Sequence, residues 1–374
     1  MTTGGADLAP LAVAGRLERL RERLGDVGVD ALLVTSLVNV RWLTGFTGSA
    51  GVLVVGSARV VLATDGRYRT QSADQVAAAG VADVVDIAVG GLEDQAAAIV
   101  AAVSPEGSRV GFEATQLTVS AHEQWATRLS GSTLVPTRGV VEDLRVAKDA
   151  GELARMERAA SIADAALADV LPALSEAGMT ERRFAAELDH AMRLRGAEEP
   201  AFETIVAAGE RSAMPHARPG SDPIRPGDAV VVDFGAVYDG YRSDMTRTFC
   251  VGGEPAGELA VVFSLVAEAQ AAGVAAVAPG VTAGAVDAVC RDRIASAGYG
   301  ERFEHGTGHG VGLEIHEAPS VAPGSTAILT PGTVVTVEPG VYLPGAGGVR
   351  VEDTLVVTEA GARALTRFPK SVPV

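Results

Sequence analysis

The sequence predicts an α/β domain over residues 1–145 and an α+β domain over residues 146–374. In the first part, short apolar runs alternate with Ala-rich helical segments, which is typical of a sheet covered by helices. In the second part, several strand patterns accompany a few long amphipathic helices. A charged stretch at 142–149 separates the two patterns, and the length of 374 residues allows each domain a core of its own.

The first domain begins with a charged helical segment at 16–24. The apolar run at 31–38 then predicts a strand, and further strands are predicted at 51–55 and 60–63. No cluster of ionisable residues with the spacing of metal ligands occurs here. Because a function requires a site, this domain is predicted to be a scaffold or an oligomerisation domain.

The second domain opens with a helix at Asp149, where Glu152 lies three residues later in capping-box spacing. Apolar residues then recur every three or four positions, and Pro172 ends the helix. Further helices are predicted at 180–195, 258–277 and 282–297, and strands at 229–238, 242–251, 333–337 and 349–357.

The net charge of −16 argues against two classes of partner. An acidic surface repels phosphate backbones and anionic membranes, so we expect neither nucleic acid nor a membrane to be bound. The two cysteines, Cys250 and Cys290, form neither a CxxC pair nor a disulfide framework, which indicates a reducing compartment. We find no signal-peptide pattern and expect no apolar run long enough to span a bilayer, so a cytoplasmic protein is expected.

Three carboxylates interrupt runs of β-branched residues that predict buried strands: Asp233, Glu338 and Glu352. Burying an ionised carboxylate without a partner is costly, so each must be paired, protonated or bound to a metal. The three arginines near them in the sequence are too few to neutralise these acids once a fourth, Asp244, is added.

Asp233 and Asp244 are placed almost symmetrically about the turn formed by residues 238–241. Its Asp-Gly pair supplies the positive φ that tight hairpin turns need, so the two flanking segments are predicted to pair. The two aspartates should then face each other across the strands, within about 5 Å at Cβ. Because like charges at that separation are destabilising without a cation between them, the pair predicts half of a metal site.

Four of the six histidines fall in two segments rich in Gly and Pro: His216, His305, His309 and His316. Such a cluster beside acidic strands is typical of a catalytic site. The HxxxH spacing does not fit a zincin, because zincins need a helix with Glu after the first histidine and Gly306 stands there. A GxGxxG dinucleotide motif and the companion motifs of a kinase are also missing from the sequence.

The four acids would be balanced by two divalent cations, and His309 would add a neutral fifth ligand. A site rich in carboxylates and free of thiolates suits hard ions such as Mn²⁺, with Co²⁺ or Zn²⁺ as alternatives. Two such ions activate water at neutral pH, so these residues predict a hydrolase.

The chain resembles the pita-bread metallopeptidases, the family of methionine aminopeptidase, aminopeptidase P and prolidase. The resemblance rests on features in the family's order: the paired aspartates, HGTGHGVGLEIHE, VEPGVY and VRVEDT. It implies five metal ligands: Asp233, Asp244, His309, Glu338 and Glu352. Of these, Asp244 and Glu352 are implied to bridge the two ions. It also implies that Glu338 carries a proton from the attacking water. The resemblance also implies that His216, His305 and His316 contact the substrate. It implies that Arg350 lies beside a metal-bound glutamate.

Two segments of the first domain resemble the creatinase-type N-terminal domain of the family's proline-specific members: residues 39–51, which include GFTGSAG, and TDGRY at 64–68. Methionine aminopeptidases lack this domain, and creatinase lacks the metal ligands. The resemblance therefore implies a peptidase that cuts before a proline at the second position of its substrate. It also implies a homodimer, in which the N-terminal domain of one subunit helps to close the partner's active site.

The two segments favour an Xaa-Pro aminopeptidase, and an Xaa-Pro dipeptidase is the alternative. A catalytically inactive relative that binds other proteins is the rival from another class. Loss of metal ligands would favour that rival, and all five implied ligands are present.

Overall fold

The structure is a computed structural model that describes residues 8–103 and 106–370. It divides into two compact units, Pro10–Arg145 and the chain from Val146 onward. Ala9 belongs with the second unit, where its carbonyl accepts a hydrogen bond of 3.0 Å from Arg155. The first unit is α/β and the second is α+β, as the sequence predicts.

A six-stranded mixed sheet organises the first unit. Its strands are β1 Ala31–Val34, β2 Val52–Gly56, β3 Val60–Thr64, β4 Val85–Val89, β5 Arg109–Glu113 and β6 Thr133–Thr137, in the order β4-β3-β2-β1-β5-β6. The β1-β2 and β2-β3 pairs are antiparallel, and the other pairs are parallel. The helices are α1 Arg16–Asp26, α2 Leu37–Thr44, α3 Arg69–Ala78, α4 Leu92–Ala102, α5 Val119–Arg128 and α6 Glu142–Arg145.

The predicted strand at 31–38 is too long. It ends at Val34, and Val38 lies in helix α2. Ser36 is the N-cap of that helix, where its hydroxyl accepts a hydrogen bond from the backbone N–H of Asn39. A short apolar run does not distinguish a buried helix from a buried strand, and here the capping serine decides between them.

Four long helices belong to the second unit: α7 Ala150–Val170, α8 Glu181–Leu194, α9 Gly257–Ala276 and α10 Ala283–Ser296. The capping box at the start of α7 is confirmed. The backbone N–H of Asp149 donates to Glu152 at 2.9 Å, and the backbone N–H of Glu152 donates to Asp149 at 2.9 Å. Pro172 lies in the short 3₁₀ turn that follows α7, as predicted for the helix end.

The strands of the second unit are β7 Ile205–Ala208, β8 Ala229–Phe234, β9 Val237–Tyr238, β10 Tyr241–Arg242, β11 Met245–Cys250, β12 Gly308–Gly310, β13 Glu317–Val321, β14 Val334–Val337, β15 Gly340–Leu343, β16 Gly347–Arg350, β17 Asp353–Thr358 and β18 Gly361–Ala364. They form one sheet in the order β11-β8-β7 and another in the order β13-β12-β14-β17-β18. β9 pairs with β10, and β15 pairs with β16.

The structure breaks three strands that the sequence predicts as continuous, those at 229–238, 242–251 and 349–357. At the first break, a Cβ on Gly235 would lie 1.9 Å from the carbonyl oxygen of Ser243, so only glycine fits there. The Ser243 hydroxyl accepts a hydrogen bond of 3.0 Å from the backbone N–H of Ala236 and replaces part of the strand ladder. The apolar pattern runs through these breaks, which is why it does not reveal them.

Each large sheet of the second unit has its own apolar core. Helices α7 and α8 pack on β7, β8 and β11 around residues such as Leu188 and Val232. Helices α9 and α10 pack on β14 and β17 around residues such as Val266 and Val337. The acidic residues singled out above lie in a strand of one of these sheets or directly beside one.

By length and composition, α9 could cross a membrane, since its mean hydropathy is 1.8. The expectation that no apolar run reaches this length is therefore wrong. A single such helix is a weak indication of a membrane span, because core helices meet the same criterion. Its residues Val262, Val266 and Ala269 pack into the second core.

Candidate metal centre

Three acidic side chains converge between the two sheets. Ligand oxygens of Asp233, Asp244 and Glu352 all lie within 4.8 Å of one another, and all three residues are buried. Carboxylates this close repel one another unless protons or cations lie among them.

The hairpin of β9 and β10 sets the position of the two aspartates. Asp239 and Gly240 have φ values of 45° and 71°, as a two-residue hairpin turn requires. The register that follows pairs Asp233 with Thr246, so the prediction that Asp233 faces Asp244 directly is wrong. Asp244 lies two residues before Thr246 and points to the same face, because side chains alternate along a strand. The aspartates are therefore diagonal neighbours.

The second sheet supplies two glutamates. Glu338 follows β14 and Glu352 precedes β17, and the β14-β17 pairing of Val337 with Asp353 leads directly to them. The backbone N–H of Glu338 donates to the Thr307 carbonyl at 2.7 Å. The backbone N–H of Glu352 donates to the Thr246 carbonyl at 3.1 Å, which joins the second sheet to β11 of the first.

His309 lies in β12 and faces the acids with one ring nitrogen. Its Nδ1 lies 3.0 Å from the carbonyl oxygen of Gly310, which can only accept, so Nδ1 carries the hydrogen. Its Nε2 lies 3.6 Å from Asp244 Oδ2 and 3.4 Å from Glu338 Oε1. Burial lowers the pKa of His309 to about 4, so a neutral imidazole presents its lone pair towards the carboxylates.

The electrostatics of this cluster call for positive charge. Burial, followed by repulsion from the neighbouring acids, raises the pKa of Asp244 and of Glu352 well above the ordinary range. Burial raises the pKa of Glu338 to about 8, although Arg350 opposes the shift. Asp233 Oδ1 and Glu352 Oε1 are buried and accept no hydrogen bond from residues 8–103 or 106–370.

The nearby arginines do not supply enough charge. Of the three arginines considered above, only Arg350 contacts a carboxylate of the cluster, at 2.7 Å from Asp233 Oδ2. Arg247 pairs with Asp353 at 2.9 Å, and Arg242 donates to backbone carbonyls. Acidic oxygens without donors, together with an imidazole lone pair, therefore form a donor set that fits divalent cations.

A directed hydrogen-bond chain runs beside the cluster. Arg350 Nη1 donates to the Tyr342 hydroxyl at 2.8 Å. His305 Nδ1 donates to the Gly306 carbonyl at 2.8 Å, so its Nε2 accepts from the Tyr342 hydroxyl at 2.9 Å. Burial lowers the pKa of His305 to about 4, which keeps this imidazole neutral.

A cavity of about 640 Å³ opens onto the cluster, and it is formed entirely by the second unit. All nine residues that the sequence singled out line it, including His216, His316 and Arg350. The ring of His316 lies edge-on to that of His309, with centroids 4.4 Å apart. His216 is exposed to the cavity.

Two contributors were missed from the sequence. The Thr246 hydroxyl donates to Glu352 Oε2 at 2.7 Å and accepts from Arg350 Nε at 3.2 Å. Its place opposite Asp233 could have been found by counting outward from the hairpin turn. Tyr342 ends the VEPGVY segment, but its link to His305 spans 37 residues and depends on tertiary structure.

Residues 154–359 match Metallopeptidase family M24, and residues 16–147 match the Creatinase/Prolidase N-terminal domain. The first match covers more than half of the chain. The chain belongs to metallopeptidase family M24. It has the pita-bread fold of that family, whose members depend on a dinuclear metal site.

Individual relatives are similar to this chain over nearly its whole length. The uncharacterized peptidase YqhT of Bacillus subtilis (strain 168) is 44% identical over 358 residues, 96% of this chain and 99% of the relative. The structure of an Xaa-Pro dipeptidase from Bacillus anthracis has a TM-score of 0.90 and 40% identity, covering 96% of this chain and 98% of that one. An X-Pro aminopeptidase from Thermotoga maritima MSB8 has a TM-score of 0.84 and 33% identity, covering 96% and 99%.

Proposed function

We propose that this M24 metallopeptidase is an Xaa-Pro aminopeptidase, which releases the N-terminal residue from peptides with proline second. The observation that carries the proposal is the buried excess of carboxylates, with two oxygens that accept no hydrogen bond within the described residues. A cavity beside them is large enough for a peptide, since ligand pockets span roughly 300–1,000 Å³. The proline specificity rests on the relatives and on the Creatinase/Prolidase N-terminal match.

Five residues would hold two divalent ions: Asp233, Asp244, His309, Glu338 and Glu352. When bound, such a pair supplies an activated water at neutral pH. Manganese is the proposed metal because four of the five side chains offer carboxylate oxygen, and Co²⁺ and Zn²⁺ are alternatives. Asp244 and Glu352 would be the ligands shared by the two ions; burial, followed by the charges of neighbouring acids, raises the pKa of both.

The chain's own groups supply proton transfer and orientation. Glu338 is proposed to take a proton from the attacking water and return it to the proline nitrogen as the bond breaks. Arg350 holds Asp233 in place through its contact of 2.7 Å. The proline nitrogen needs this proton because an unprotonated amide nitrogen would have to leave as a strongly basic anion.

The histidines differ in what they can offer the substrate. Both ring nitrogens of His305 are engaged, by Gly306 and Tyr342, so direct contact with a substrate would require that arrangement to change. His216 and His316 make no hydrogen bond within residues 8–103 and 106–370, and both line the cavity. They are therefore the proposed donors to the substrate carbonyl, where charge develops in the transition state.

The cationic groups of the cavity favour the aminopeptidase. A dipeptide carries its carboxylate on the proline itself, so a dipeptidase needs a cation close to the metals. Arg350 and Arg218 are the only arginines or lysines among the described residues that line the cavity. Arg350 is committed to Asp233 and Tyr342, and the side chain of Arg218 is 83% exposed.

An Xaa-Pro dipeptidase is the second candidate, because the Bacillus anthracis structure similar to this chain carries that name. In that case, Arg218 is the group to receive the carboxylate. Among the described residues its one ion pair is a contact of 3.4 Å with the exposed Glu203, which a substrate carboxylate could displace.

We further propose the domain assignment 1–145 and 146–374, a cytoplasmic location and a homodimer. The first segment would be the N-terminal domain that helps to close the partner's active site, as the match over residues 16–147 supports. Size-exclusion chromatography with light scattering tests the dimer, and a monomer at micromolar concentration would contradict it.

The substrate test compares three peptides, Xaa-Pro-Yaa, Xaa-Pro and Xaa-Ala-Yaa, in the presence of Mn²⁺. We expect kcat/KM to be highest for Xaa-Pro-Yaa, because contacts beyond proline lower the barrier, and much lower for Xaa-Ala-Yaa. Glu352→Ala is the control for contaminating peptidases. Cleavage of the dipeptide alone would replace the aminopeptidase with a dipeptidase, and no cleavage of any peptide would favour a binding protein.

A further inference from the structure

The connection between β7 and β8, residues 209–228, forms one wall of the cavity. Its consecutive residues from Pro215 to Pro219 line the opening, and they include His216 and Arg218. Apart from a short 3₁₀ turn at Gly209–Ala213, this connection contains no helix or strand. Some other group must fix its main chain if it is to hold a substrate in one place.

Glu181, the first residue of α8, binds the main chain on either side of the residues that line the cavity. Its side chain is only 2% exposed. Oε1 accepts a hydrogen bond of 2.8 Å from the backbone N–H of Ala208, where the connection begins. Oε2 accepts one of 2.6 Å from the backbone N–H of Gly220, beyond the residues that line the cavity.

Arg211 extends the same attachment to the middle of the segment. Its Nε donates to Glu181 Oε1 and Oε2 at 3.2 and 3.0 Å. Its Nη2 donates to the backbone carbonyl of Arg218 at 2.5 Å. One buried carboxylate therefore reaches the beginning, the middle and the end of the cavity wall, directly or through one guanidinium.

The packing around this attachment leaves little space for additional atoms. A Cβ on Gly220 would lie 3.0 Å from Glu181 Oε2 and 3.5 Å from the Arg211 guanidinium carbon. The 3₁₀ turn is held separately, because the Ser212 hydroxyl accepts a hydrogen bond of 2.8 Å from the backbone N–H of Gly348. Within residues 214–220, Glu181 acts together with two further contacts. The backbone N–H of Arg182 donates to the Gly220 carbonyl at 3.0 Å, and Arg350 Nη1 donates to the Pro215 carbonyl at 3.3 Å.

We propose that Glu181 is a positioning residue for substrate binding. Acting through Arg211, whose Nη2 holds the backbone carbonyl of Arg218, it fixes the backbone there and thereby sets where the peptide lies beyond its proline. The role rests on the proposed peptidase function, because it assumes that the wall contacts the substrate. Glu181 touches none of the proposed ligands, so it controls KM and leaves the metal site intact.

Glu181→Gln tests this role because it keeps the size of the side chain and removes its charge. We expect KM for Xaa-Pro-Yaa to rise about tenfold, because charge-assisted hydrogen bonds are lost. We expect kcat and bound metal to change less than about twofold, since the metal ligands are untouched. Arg211→Gln should raise KM in the same direction, and Arg211→Lys should restore part of the loss.

Asp164→Asn is the matched control. The Asp164 carboxylate also accepts two backbone N–H groups, from Arg367 at 2.9 Å and Phe368 at 3.1 Å, but it does not line the cavity. This variant should lower the thermal midpoint without changing KM. An unchanged KM in Glu181→Gln, or a loss of metal from it, would overturn the proposal.

Hydrogen exchange separates this inference from the peptidase function. The amides of Ala208 and Gly220 should exchange faster in Glu181→Gln than in the unsubstituted protein, whatever the substrate proves to be. If the unsubstituted protein cleaves no Xaa-Pro peptide, the proposed function fails while faster exchange still supports the anchor. Unchanged exchange at both amides would reject the anchor itself.

Discussion

Two buried glutamates, one in each unit of the chain, meet their need for hydrogen bonds in opposite ways. In the first unit, Glu113 is 6% exposed at the end of β5. It accepts hydrogen bonds from the backbone N–H groups of Thr35 at 2.6 Å and Ser36 at 2.7 Å, and from Asn39 Nδ2 at 2.6 Å. In the second unit, Glu352 is 1% exposed and its Oε1 accepts no hydrogen bond from any described residue.

Burial alone therefore does not identify a functional acid. Burial raises the pKa of Glu113, and the hydrogen bonds from its neighbours oppose that shift. Burial also raises the pKa of Glu352, but there the charges of Glu338 and Asp233 raise it further. A carboxylate that has an oxygen without a donor and lies among other acids is the one that needs a cation.

The largest expected difference between the two regions is in catalysis. Asp244→Ala or Glu352→Ala should lower kcat/KM by more than about 1,000-fold, because the metals supply several kcal/mol of transition-state stabilisation. Elemental analysis should show less bound metal in both variants. Glu113→Ala, the control from the first unit, should keep its metal. Full metal content in Glu352→Ala would contradict the assignment of ligands.

The next effect separates ligands from substrate contacts within the second unit. His305→Ala and His316→Ala should each lower kcat about 100-fold, because each removes a group that aligns or stabilises the transition state. Both should retain their metal, whereas His309→Ala should lose part of it. Steady-state kinetics and metal analysis on the same preparations measure this. Equal metal loss in all three variants would mean that the histidine roles are misassigned.

That these acids and histidines would meet in one cavity could be predicted because the signal is local. Three of the acids interrupt apolar strands, Asp244 lies beside a hairpin turn, and each histidine lies in a segment rich in Gly and Pro, so the residue types and their spacing suffice. The geometry depends on longer-range structure. Approximate symmetry about the turn suggested that Asp233 faces Asp244, whereas the two-residue turn sets a register that pairs Asp233 with Thr246.

Other structural features could not be predicted from the pattern of apolar residues. Val38 is apolar in either a helix or a strand, so its neighbour Ser36 had to be recognised as a cap. The strand break at Gly235 follows from its close approach to the Ser243 carbonyl, and at the break near Glu352 the backbone N–H of Glu352 donates to the distant Thr246 carbonyl. Tyr342 joins Arg350 to His305 only after β15 and β16 have paired.

Removal of the metals should make stability depend on pH. The pKa of Glu338 is about 8 in the metal-free fold, against an ordinary value of 4.5. The folded chain then holds a proton that the unfolded chain releases above pH 4.5, so stability falls as pH rises towards 8. We expect chelated protein to lose about 2 kcal/mol of unfolding free energy between pH 6 and pH 8, at about 1.4 kcal/mol per pH unit and proton.

Denaturant titrations at both pH values, with and without chelator, measure that loss. Metal-loaded protein should show a smaller dependence, since divalent ions stabilise the ionised carboxylates. Glu338→Gln removes one titrating group and should reduce the slope of the chelated protein. An identical slope in that variant would show that Glu338 is not the group responsible.

The smallest expected effect concerns Glu113, where hydrogen-bond donors stabilise the buried carboxylate in place of a metal ion. Glu113→Gln puts an amide NH₂ near backbone N–H groups that need an acceptor, so we expect a loss of about 1–2 kcal/mol in stability. Both tryptophans, Trp42 and Trp125, lie in the first unit, so their fluorescence during urea unfolding follows this region. In the unsubstituted protein, hydrogen bonds rather than a cation satisfy the Glu113 carboxylate. Adding Mn²⁺ to the variant should therefore not restore the lost stability. Recovery with Mn²⁺ would instead mean that Glu113 belongs to a second cation site, and the distinction between the two regions would fail.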